Sequence, residues 1–253
     1  MKNKYKFRII AVLLGCFLIS IVGASAKSDK KLGLHTGGGR WGFRPAKQYH
    51  DGRPRILLIG DSVCSQYSKL VVRELEDTAD VDVWVTGKHL NSSGLHGLLT
   101  EALEQGKYNV VHFNIGLHGW SDGRIPKGQY QPLLKAYVDV LKEKEPEAVL
   151  IWASTTSISE SKENPRVLDP VHNLTIVERN TIAAKVMKQE GVAINDLYGL
   201  MAHYPELKAD RFHWKSAGSA KMTEAISQKI RSALSKESKP FDSEKNQISS
   251  SLR

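Results

Sequence analysis

Short apolar runs alternate with longer amphipathic stretches between about residues 55 and 235 of the chain. The apolar runs are rich in Val, Ile and Leu and end at Gly or polar residues, which is typical of buried strands. We predict five strands, beginning near Ile56, Val81, Val110, Ala148 and Val192. Between them, apolar residues recur every three or four positions, which predicts helices with one buried face. Strands that alternate with helices predict an α/β fold, with a parallel sheet between two layers of helices.

The first predicted strand ends abruptly at Gly60-Asp61-Ser62, and a helical pattern begins immediately afterwards. The N–H groups at a helix start have no acceptor within the helix, and the helix dipole is positive there. Ser62 therefore has its own N–H group available to stabilise a developing negative charge. Asp and Ser are also ordinary helix caps, so the tripeptide alone favours capping over catalysis.

Further polar residues follow the ends of other predicted strands. In a parallel α/β sheet, ligands bind outside the carboxyl ends of the strands. The residues that this topology brings to one edge are Ser62, Asn91, Gly94, His118, Ser154 and the segment 210–213. Because a candidate base and a carboxylate meet Ser62 at this edge, Ser62 becomes a candidate nucleophile.

The chemistry that this group of residues predicts is nucleophilic catalysis. The Ser62 hydroxyl is a poor nucleophile at neutral pH and needs an adjacent base, a role that His213 can fill. Asp210 lies three residues earlier and can accept the other imidazole N–H, which fixes the tautomer. The oxyanion needs preorganised donors, which the backbone N–H groups of Ser62 and Gly94 and one side chain after the third strand can provide. Asn91 is explained equally well as a turn residue and as a substrate contact.

Four segments in this order resemble the four sequence blocks of the SGNH (GDSL) hydrolases. They are Gly60-Asp61-Ser62, Gly94, Gly116-Leu117-His118 and Asp210-Arg211-Phe212-His213. The resemblance spans residues 55–235 and implies a flavodoxin-like, three-layer α/β/α fold with serine ester hydrolysis that uses no metal and no cofactor. It also implies that Ser62 is the nucleophile, that Asp210 and His213 complete the triad, and that Gly94 donates to the oxyanion.

The third block departs from the family pattern. It usually reads Gly-x-Asn-Asp, and here it reads Gly116-Leu117-His118-Gly119. His118 stands where the family has its oxyanion Asn, and a neutral imidazole N–H can donate in a similar way. Asn114, two residues before Gly116, is a rival donor or a substrate contact. We expect the loss of the acidic residue at Gly119 to loosen the loop.

The first 26 residues have the pattern of a secretory signal peptide. Four basic residues precede an apolar run from Ile9 to Gly23, and Ala24-Ser25-Ala26 is a small-residue cleavage site. We predict cleavage after Ala26, which would give a secreted or periplasmic protein without membrane insertion. Lipidation at Cys16 and an uncleaved membrane anchor are the alternatives.

The segments on either side of the predicted domain are expected to lack regular structure. Residues 27–54 are rich in Gly, Lys and His and are predicted to form an irregular arm. Residues 236–253 are rich in Ser and Lys and are predicted to be a disordered tail.

Composition and charge limit the kinds of molecule that the protein is expected to bind. The chain has 253 residues and a formal net charge of +9, of which four positive charges lie in the leader, leaving +5 for the remainder. No dense run of Lys and Arg is interleaved with aromatic residues, so nucleic-acid binding is not expected. Cys64 is the only cysteine outside the leader, so we expect no intramolecular disulfide and no cysteine-based metal site.

These patterns together predict an exported serine esterase. The expected substrate is an acyl ester, most simply an acetyl ester, on a carbohydrate or polysaccharide. A lipase, a thioesterase or an acyltransferase would use the same three residues. A non-catalytic glycan-binding module on a decayed hydrolase fold is the alternative from a different class. The sequence leaves the oligomeric state open.

Overall fold

The computed structural model describes Leu34 and residues 41–237, and six strands in this part of the chain form one sheet. The strands are β1 (Gly42–Arg44), β2 (Arg55–Gly60), β3 (Asp80–Val85), β4 (Val110–Phe113), β5 (Val149–Ala153) and β6 (Ala193–Asn195). Their order across the sheet is β1-β3-β2-β4-β5-β6. Strands β2 to β6 are parallel, in the flavodoxin-like order that was predicted.

Six α-helices connect or follow the strands in the described part of the chain. They are α1 (Ser62–Glu74), α2 (Leu95–Leu103), α3 (Tyr130–Lys144), α4 (His172–Gln189), α5 (Leu197–Ala202) and α6 (Ser216–Glu237). Two single-turn 3₁₀-helices cover Leu117–Gly119 and Pro205–Leu207. The sequence pattern predicted all of the α-helices except α5, which is too short to show a helical period and begins at a side-chain cap from Asp196.

The core lies on both faces of the sheet, because successive side chains of a strand point to opposite faces. In β2, Leu57 and Ile59 pack with α2, α3 and α4, whereas Ile56 and Leu58 pack with α1, α5 and α6. All four side chains are fully buried, and each contributes about 1.5–3 kcal/mol to folding by leaving water. The predicted three-layer α/β/α arrangement is confirmed.

Strand β1 lies within the segment that was predicted to be irregular. It pairs antiparallel with β3, and its buried Phe43 lies opposite Trp84. The Phe43 N–H donates to the carbonyl of Leu34 at 3.1 Å. A strand of three residues is too short to show an alternating pattern, so the sequence predicted about five strands where the sheet has six.

The predicted leader and most of the predicted tail lie outside the described residues. Helix α6 continues to Glu237, two residues beyond the predicted end of the domain. Among the helices that are described, none combines the length and the apolar character needed to cross a membrane.

The strand order also fixes where a ligand can bind. The chain runs from β2 into α1, and from β4 into the turn at Leu117–Gly119. In the sheet, β2 lies between β3 and β4. The carboxyl ends of β2 and β4 therefore flank the point where the strand order reverses, which is the usual ligand crevice of open α/β sheets.

Candidate active site

The turn between β2 and α1 presents Ser62 at the start of a helix. Asp61 is the cap, because its Oδ1 accepts the Val63 N–H at 2.9 Å and its carbonyl accepts the Ser65 N–H at 2.9 Å. Ser62 is the first residue of α1, so its N–H has no acceptor within the helix. Gly60 is required by the close packing of this turn, since a Cβ there would lie 2.4 Å from Cys64 Cβ.

Ser62, His213 and Asp210 form a continuous line of hydrogen bonds. Ser62 Oγ lies 2.9 Å from His213 Nε2, and His213 Nδ1 lies 2.9 Å from Asp210 Oδ2. With the Nδ1 proton donated to Asp210, Nε2 is an acceptor for the Ser62 hydroxyl. A surface depression of about 480 Å³ opens over these three residues and is also lined by Ser65 and Gln66. The arrangement has the geometry of a nucleophile with a base and an orienting carboxylate.

The electrostatics of Asp210 favour its ionised form. Partial burial alone would raise its pKa, but the backbone N–H groups of Phe212 and His213 and the His213 imidazole all donate to the carboxylate. The net result is a pKa below the ordinary value for Asp. Asp210 can therefore hold the His213 tautomer and stabilise an imidazolium.

Gln66 fastens the turn that carries His213 to helix α1. Its Nε2 donates to the Trp214 carbonyl at 3.0 Å, and its Oε1 accepts the Trp214 N–H at 3.2 Å. The turn is also closed by a hydrogen bond from the Ala209 N–H to the His213 carbonyl at 3.0 Å. No local sequence pattern singles out Gln66, although its position four residues after Ser62 puts both side chains on one helix face.

Gly94 and His118, the two other predicted oxyanion donors, lie in the loops after β3 and β4. Gly94 precedes α2 with φ +75°, a left-handed conformation that glycine adopts without strain, and its surroundings are open. His118 lies in the 3₁₀ turn, where its ring meets the Trp41 ring edge-on at 5.3 Å between centroids. Burial raises the pKa of Asp61, and the Val63 N–H and the His118 and His213 imidazoles oppose that rise.

Two arginines hold the loop that carries His118. Arg179, a buried residue of α4, donates to the carbonyls of Gly119 and Ile125, the latter at 3.0 Å, and to Asp122 Oδ1 at 3.2 Å. Arg124 donates to the His118 carbonyl. The sequence could have indicated Arg179, because a cation between buried positions of an amphipathic helix needs a partner.

The loop at Gly119, which was predicted to be loosened, is closely packed in the structure. Gly119 is buried, and a Cβ there would lie 2.5 Å from Ile125 Cδ1 and 3.3 Å from His89 Cβ. A side chain at Gly119 would require Ile125 to shift, and the contact of Arg179 with the Gly119 carbonyl holds the loop against α4.

The two predicted asparagine contacts are both engaged within the protein. Asn114 Nδ2 donates to the Ala153 carbonyl at 2.7 Å and to Thr155 Oγ1 at 3.2 Å, so both amide hydrogens are used to join the ends of β4 and β5. This geometry supports a structural role for Asn114, and its oxyanion or substrate contact stays a prediction. Asn91 is exposed, and its Nδ2 donates to the Arg124 carbonyl at 3.1 Å.

Two further side chains that could have been reactive, Cys64 and His112, lie in the core of the domain. Cys64 is buried, and burial raises the pKa of its thiol to about 12, so it is no nucleophile at neutral pH. His112 is fully buried in β4, with Nε2 3.3 Å from Asn195 Nδ2. In the described part of the chain, no group of three or more His, Cys, Asp or Glu side chains is placed to hold a metal ion.

A larger cavity of about 610 Å³ lies beside the other end of α1. It is bounded by β1, β3 and α1 and is lined in part by Arg44, Lys69 and Arg73, but by none of the residues around Ser62. The smaller depression over Ser62 is the better candidate site, because it combines a nucleophile with an oriented base.

Solved structures similar to this chain are esterases and hydrolases. The acetyl xylan esterase AlAXEase matches with a TM-score of 0.57 at 15% identity, over 70% of this chain and 99% of its own. Axe2, an acetylxylan esterase from Geobacillus stearothermophilus, matches with a TM-score of 0.56 at 18% identity, over 70% of this chain and 94% of its own. LAE5, an α/β hydrolase from the metagenome of Lake Arreo, Spain, matches with a TM-score of 0.57 at 16% identity, over 70% of this chain and 94% of its own.

No protein-family model and no curated protein matches the chain. At identities of 15–18%, similarity to solved structures establishes the fold but not the activity. The sheet order, the two helical layers and these matches agree on one architecture. The chain has a three-layer α/β/α fold with a flavodoxin-like sheet, which it shares with these esterases and hydrolases.

Proposed function

We propose that this protein is an exported serine esterase that hydrolyses an acyl ester, most simply an acetyl ester, on a carbohydrate. The observation that carries the proposal is the hydrogen-bonded line from Ser62 through His213 to Asp210 at the carboxyl edge of the sheet. The same line would serve a lipase, a thioesterase or an acyltransferase. Similar structures that are named as acetyl xylan esterases, together with the predicted leader, favour the carbohydrate ester.

The geometry supports a two-step mechanism. In the first step Ser62 Oγ attacks the ester carbonyl carbon while His213 Nε2 takes the hydroxyl proton, and the carbonyl oxygen becomes an oxyanion. The bond between the carbonyl carbon and the sugar oxygen then breaks. The leaving sugar alkoxide takes the proton from His213, and Ser62 is left acylated. In the second step His213 removes a proton from water, and the resulting attack releases the acid and restores the free serine.

The oxyanion of both steps would be held by three donors. The Ser62 N–H lies at the start of α1, where the helix dipole also favours negative charge. The Gly94 N–H and the His118 ring would complete the set. Donors fixed in place before the reaction stabilise the transition state without reorganisation at the moment of attack.

Removal of the nucleophile tests the proposal. We expect Ser62→Ala to slow turnover of 4-nitrophenyl acetate by about 10⁴-fold or more, because the serine and its base act as one unit. Ser232→Ala, at an exposed serine of α6 outside the depression, should stay within a few-fold of wild type and serves as the matched control. Melting temperatures of both variants should equal that of wild type.

The result also separates an enzyme from a binding module. If wild-type protein binds acetylated oligosaccharides but releases no acetate from any ester, a decayed hydrolase fold that binds glycans replaces the proposal. If the wild-type protein is active, an acetate-release screen over acetylated polysaccharides would identify the sugar.

A further inference from the structure

A second Asp-x-x-His turn lies beside the one in the candidate active site. Asp169 Oδ1 accepts the N–H groups of Val171 and His172 at 2.9 and 2.8 Å, and its Oδ2 lies 2.8 Å from His172 Nδ1. Asp210 makes the same three contacts. Its Oδ1 accepts the N–H groups of Phe212 and His213, both at 2.8 Å, and its Oδ2 lies 2.9 Å from His213 Nδ1. The two turns therefore orient two imidazole rings by the same local geometry.

Arg211 joins the second turn directly to the first. Its side chain belongs to the turn between Asp210 and His213, and its Nη2 donates to Asp169 Oδ2 at 2.7 Å. Its carbonyl accepts the Ser159 N–H at 2.9 Å, and its Nε donates to the Ser159 carbonyl at 3.3 Å. The position of His172 is thus tied to the segment that carries the base of the triad.

The contacts around Asp169 and His172 leave one imidazole nitrogen for a ligand. Burial alone would raise the pKa of Asp169, but hydrogen bonds from His172, Val171 and Arg211 hold it well below the ordinary value. Asp169 Oδ2 and Arg211 Nη2 both lie against His172 Nδ1, at 2.8 and 3.0 Å, so this ring nitrogen is engaged within the protein. The His172 side chain is 41% exposed, and no described residue hydrogen-bonds to its Nε2.

The surface around His172 suits the apolar face of a sugar ring. The Trp120 ring meets the His172 ring edge-on at 4.5 Å between centroids, and the Arg211 guanidinium lies 5.4 Å from the Trp120 ring. Val171 and Leu174, on either side of His172 in the sequence, are each 66% exposed. A ring nitrogen beside aromatic and aliphatic side chains matches a sugar, which presents hydroxyl groups at its edge and C–H groups on its face.

We propose that His172, oriented by Asp169 and flanked by Trp120, is a substrate subsite that makes a hydrogen bond with a hydroxyl of the carbohydrate carrying the ester. This inference rests on the proposed esterase function and adds a binding residue to it. His172 takes no part in bond making: it holds the sugar while Ser62 and His213 act on the acyl group.

The test compares two esters that differ in the alcohol. 4-Nitrophenyl acetate has no sugar hydroxyl, whereas partially acetylated xylotetraose presents several beside each ester. We expect His172→Ala to lower kcat/KM for the oligosaccharide by about 5- to 10-fold, mainly through KM, because one hydrogen bond made alike in the bound substrate and the transition state is lost. Its kcat/KM for 4-nitrophenyl acetate should equal that of wild type.

His50→Ala is the matched control. His50 also pairs with an aspartate, with Nδ1 2.7 Å from Asp80 Oδ1, but Asp80 begins β3 and so lies at the opposite edge of the sheet. This variant should leave the kinetics of both esters unchanged.

The other outcomes overturn the subsite. An equal loss on both esters would show that His172 only supports the fold, and no loss on either would show that the sugar does not reach it. A wild-type enzyme that cleaves the small ester but ignores the acetylated oligosaccharide would also contradict the subsite while leaving the esterase intact. A wild-type protein that cleaves neither ester would refute the proposed function itself, and the subsite with it.

Discussion

Asp61 and Ser62 are both residue types that cap helices, and the sequence alone could not assign the cap. The structure gives capping to Asp61, whose carboxylate bonds to the Val63 N–H, and leaves the Ser62 hydroxyl for His213. The deciding contact spans 151 positions of the chain, so no local pattern contains it. The order of the four blocks and the parallel topology were the features that predicted it.

His118 is the residue at which this chain departs from the family pattern, and its role can be measured. If its ring donates to the oxyanion, His118→Ala should slow turnover by about 10²- to 10³-fold with a smaller change in KM. His118→Asn should recover part of the loss, because an amide can donate from a similar position. Steady-state kinetics on 4-nitrophenyl acetate are sufficient, since the donor acts on the carbonyl shared by all acetyl esters.

Asn114→Ala provides the comparison for His118. Because its amide joins β4 to β5, we expect this change to lower the melting temperature, since each buried acceptor left unpaired costs about 1–3 kcal/mol of stability. A variant that melts normally but turns over slowly would return the oxyanion role to Asn114 and make His118 a structural residue.

His112 predicts a loss of stability in acid. Burial lowers its pKa from the ordinary 6.5 to about 4, so the unfolded chain binds more protons than the folded one between these values. Stability therefore rises with pH across this window, and about 3 kcal/mol is lost as the pH falls from 6.5 to 4. Below about pH 4 both states are protonated and the loss is complete.

Melting curves of a variant that cannot titrate at this position check the effect. His112→Gln should lose less stability than wild type does as the pH falls through this window. His203→Gln, at an exposed histidine after α5, should follow wild type. Parallel acid curves for wild type and His112→Gln would show that His112 does not contribute to the acid sensitivity.

At the scale of elements, the sequence predicted the parallel strands and the longer helices to within a few residues. Periodicity carries this information where an element is long and one face is buried. Strand β1 and helix α5 are too short to show a period, and both are stabilised by contacts outside themselves: the pairing of β1 with β3 and the packing of α5 on the sheet. Gln66 and Arg179 were missed for a related reason, because each acts on a backbone segment that is distant in the sequence.

Arg179 should couple helix α4 to the geometry of the site. Arg179→Met removes the donors to Gly119 and Ile125 and should let the His118 loop shift. A displacement of about 1 Å at a positioned group can slow a reaction on the order of 10²-fold, so we expect turnover to be slower by about 10- to 100-fold. Steady-state kinetics on 4-nitrophenyl acetate measure the effect.

The control for this change is Arg166→Met, at an exposed arginine in the loop before α4. It should retain wild-type turnover and stability. Limited proteolysis of Arg179→Met should give new cleavage between residues 117 and 125. Unchanged turnover of Arg179→Met would show that the loop keeps His118 in position without Arg179.

For the whole molecule, the fold was predictable and the substrate was not. The sheet order, the two helical layers and the edge at which the site lies all follow from hydrophobic pattern and topology. Substrate choice depends on loops after the strands, whose conformations are fixed by contacts such as those among Asp169, His172 and Arg211. The second Asp-x-x-His turn was readable in the sequence as a repeat of the first, but its place beside the site was not.

Export is a property of the whole chain and can be tested separately. We predict that the protein expressed in a bacterium with its leader is cleaved after Ala26, so that N-terminal sequencing of the exported form begins at Lys27. Cys16→Ser should be exported and cleaved in the same way. A Cys16→Ser variant that stays unprocessed, with lipid on the wild-type protein, would establish the lipoprotein alternative.

The central claim is that the Ser62 hydroxyl is a nucleophile activated by His213. Its most direct test is covalent labelling with a fluorophosphonate, which phosphonylates an activated serine and releases fluoride, followed by intact-mass measurement and peptide mapping. The account predicts one adduct per chain, on the peptide that contains Ser62, absent in Ser62→Ala and formed much more slowly in His213→Ala. Labelling at another residue, equal labelling of Ser62→Ala, or no labelling of the folded wild-type protein would contradict it.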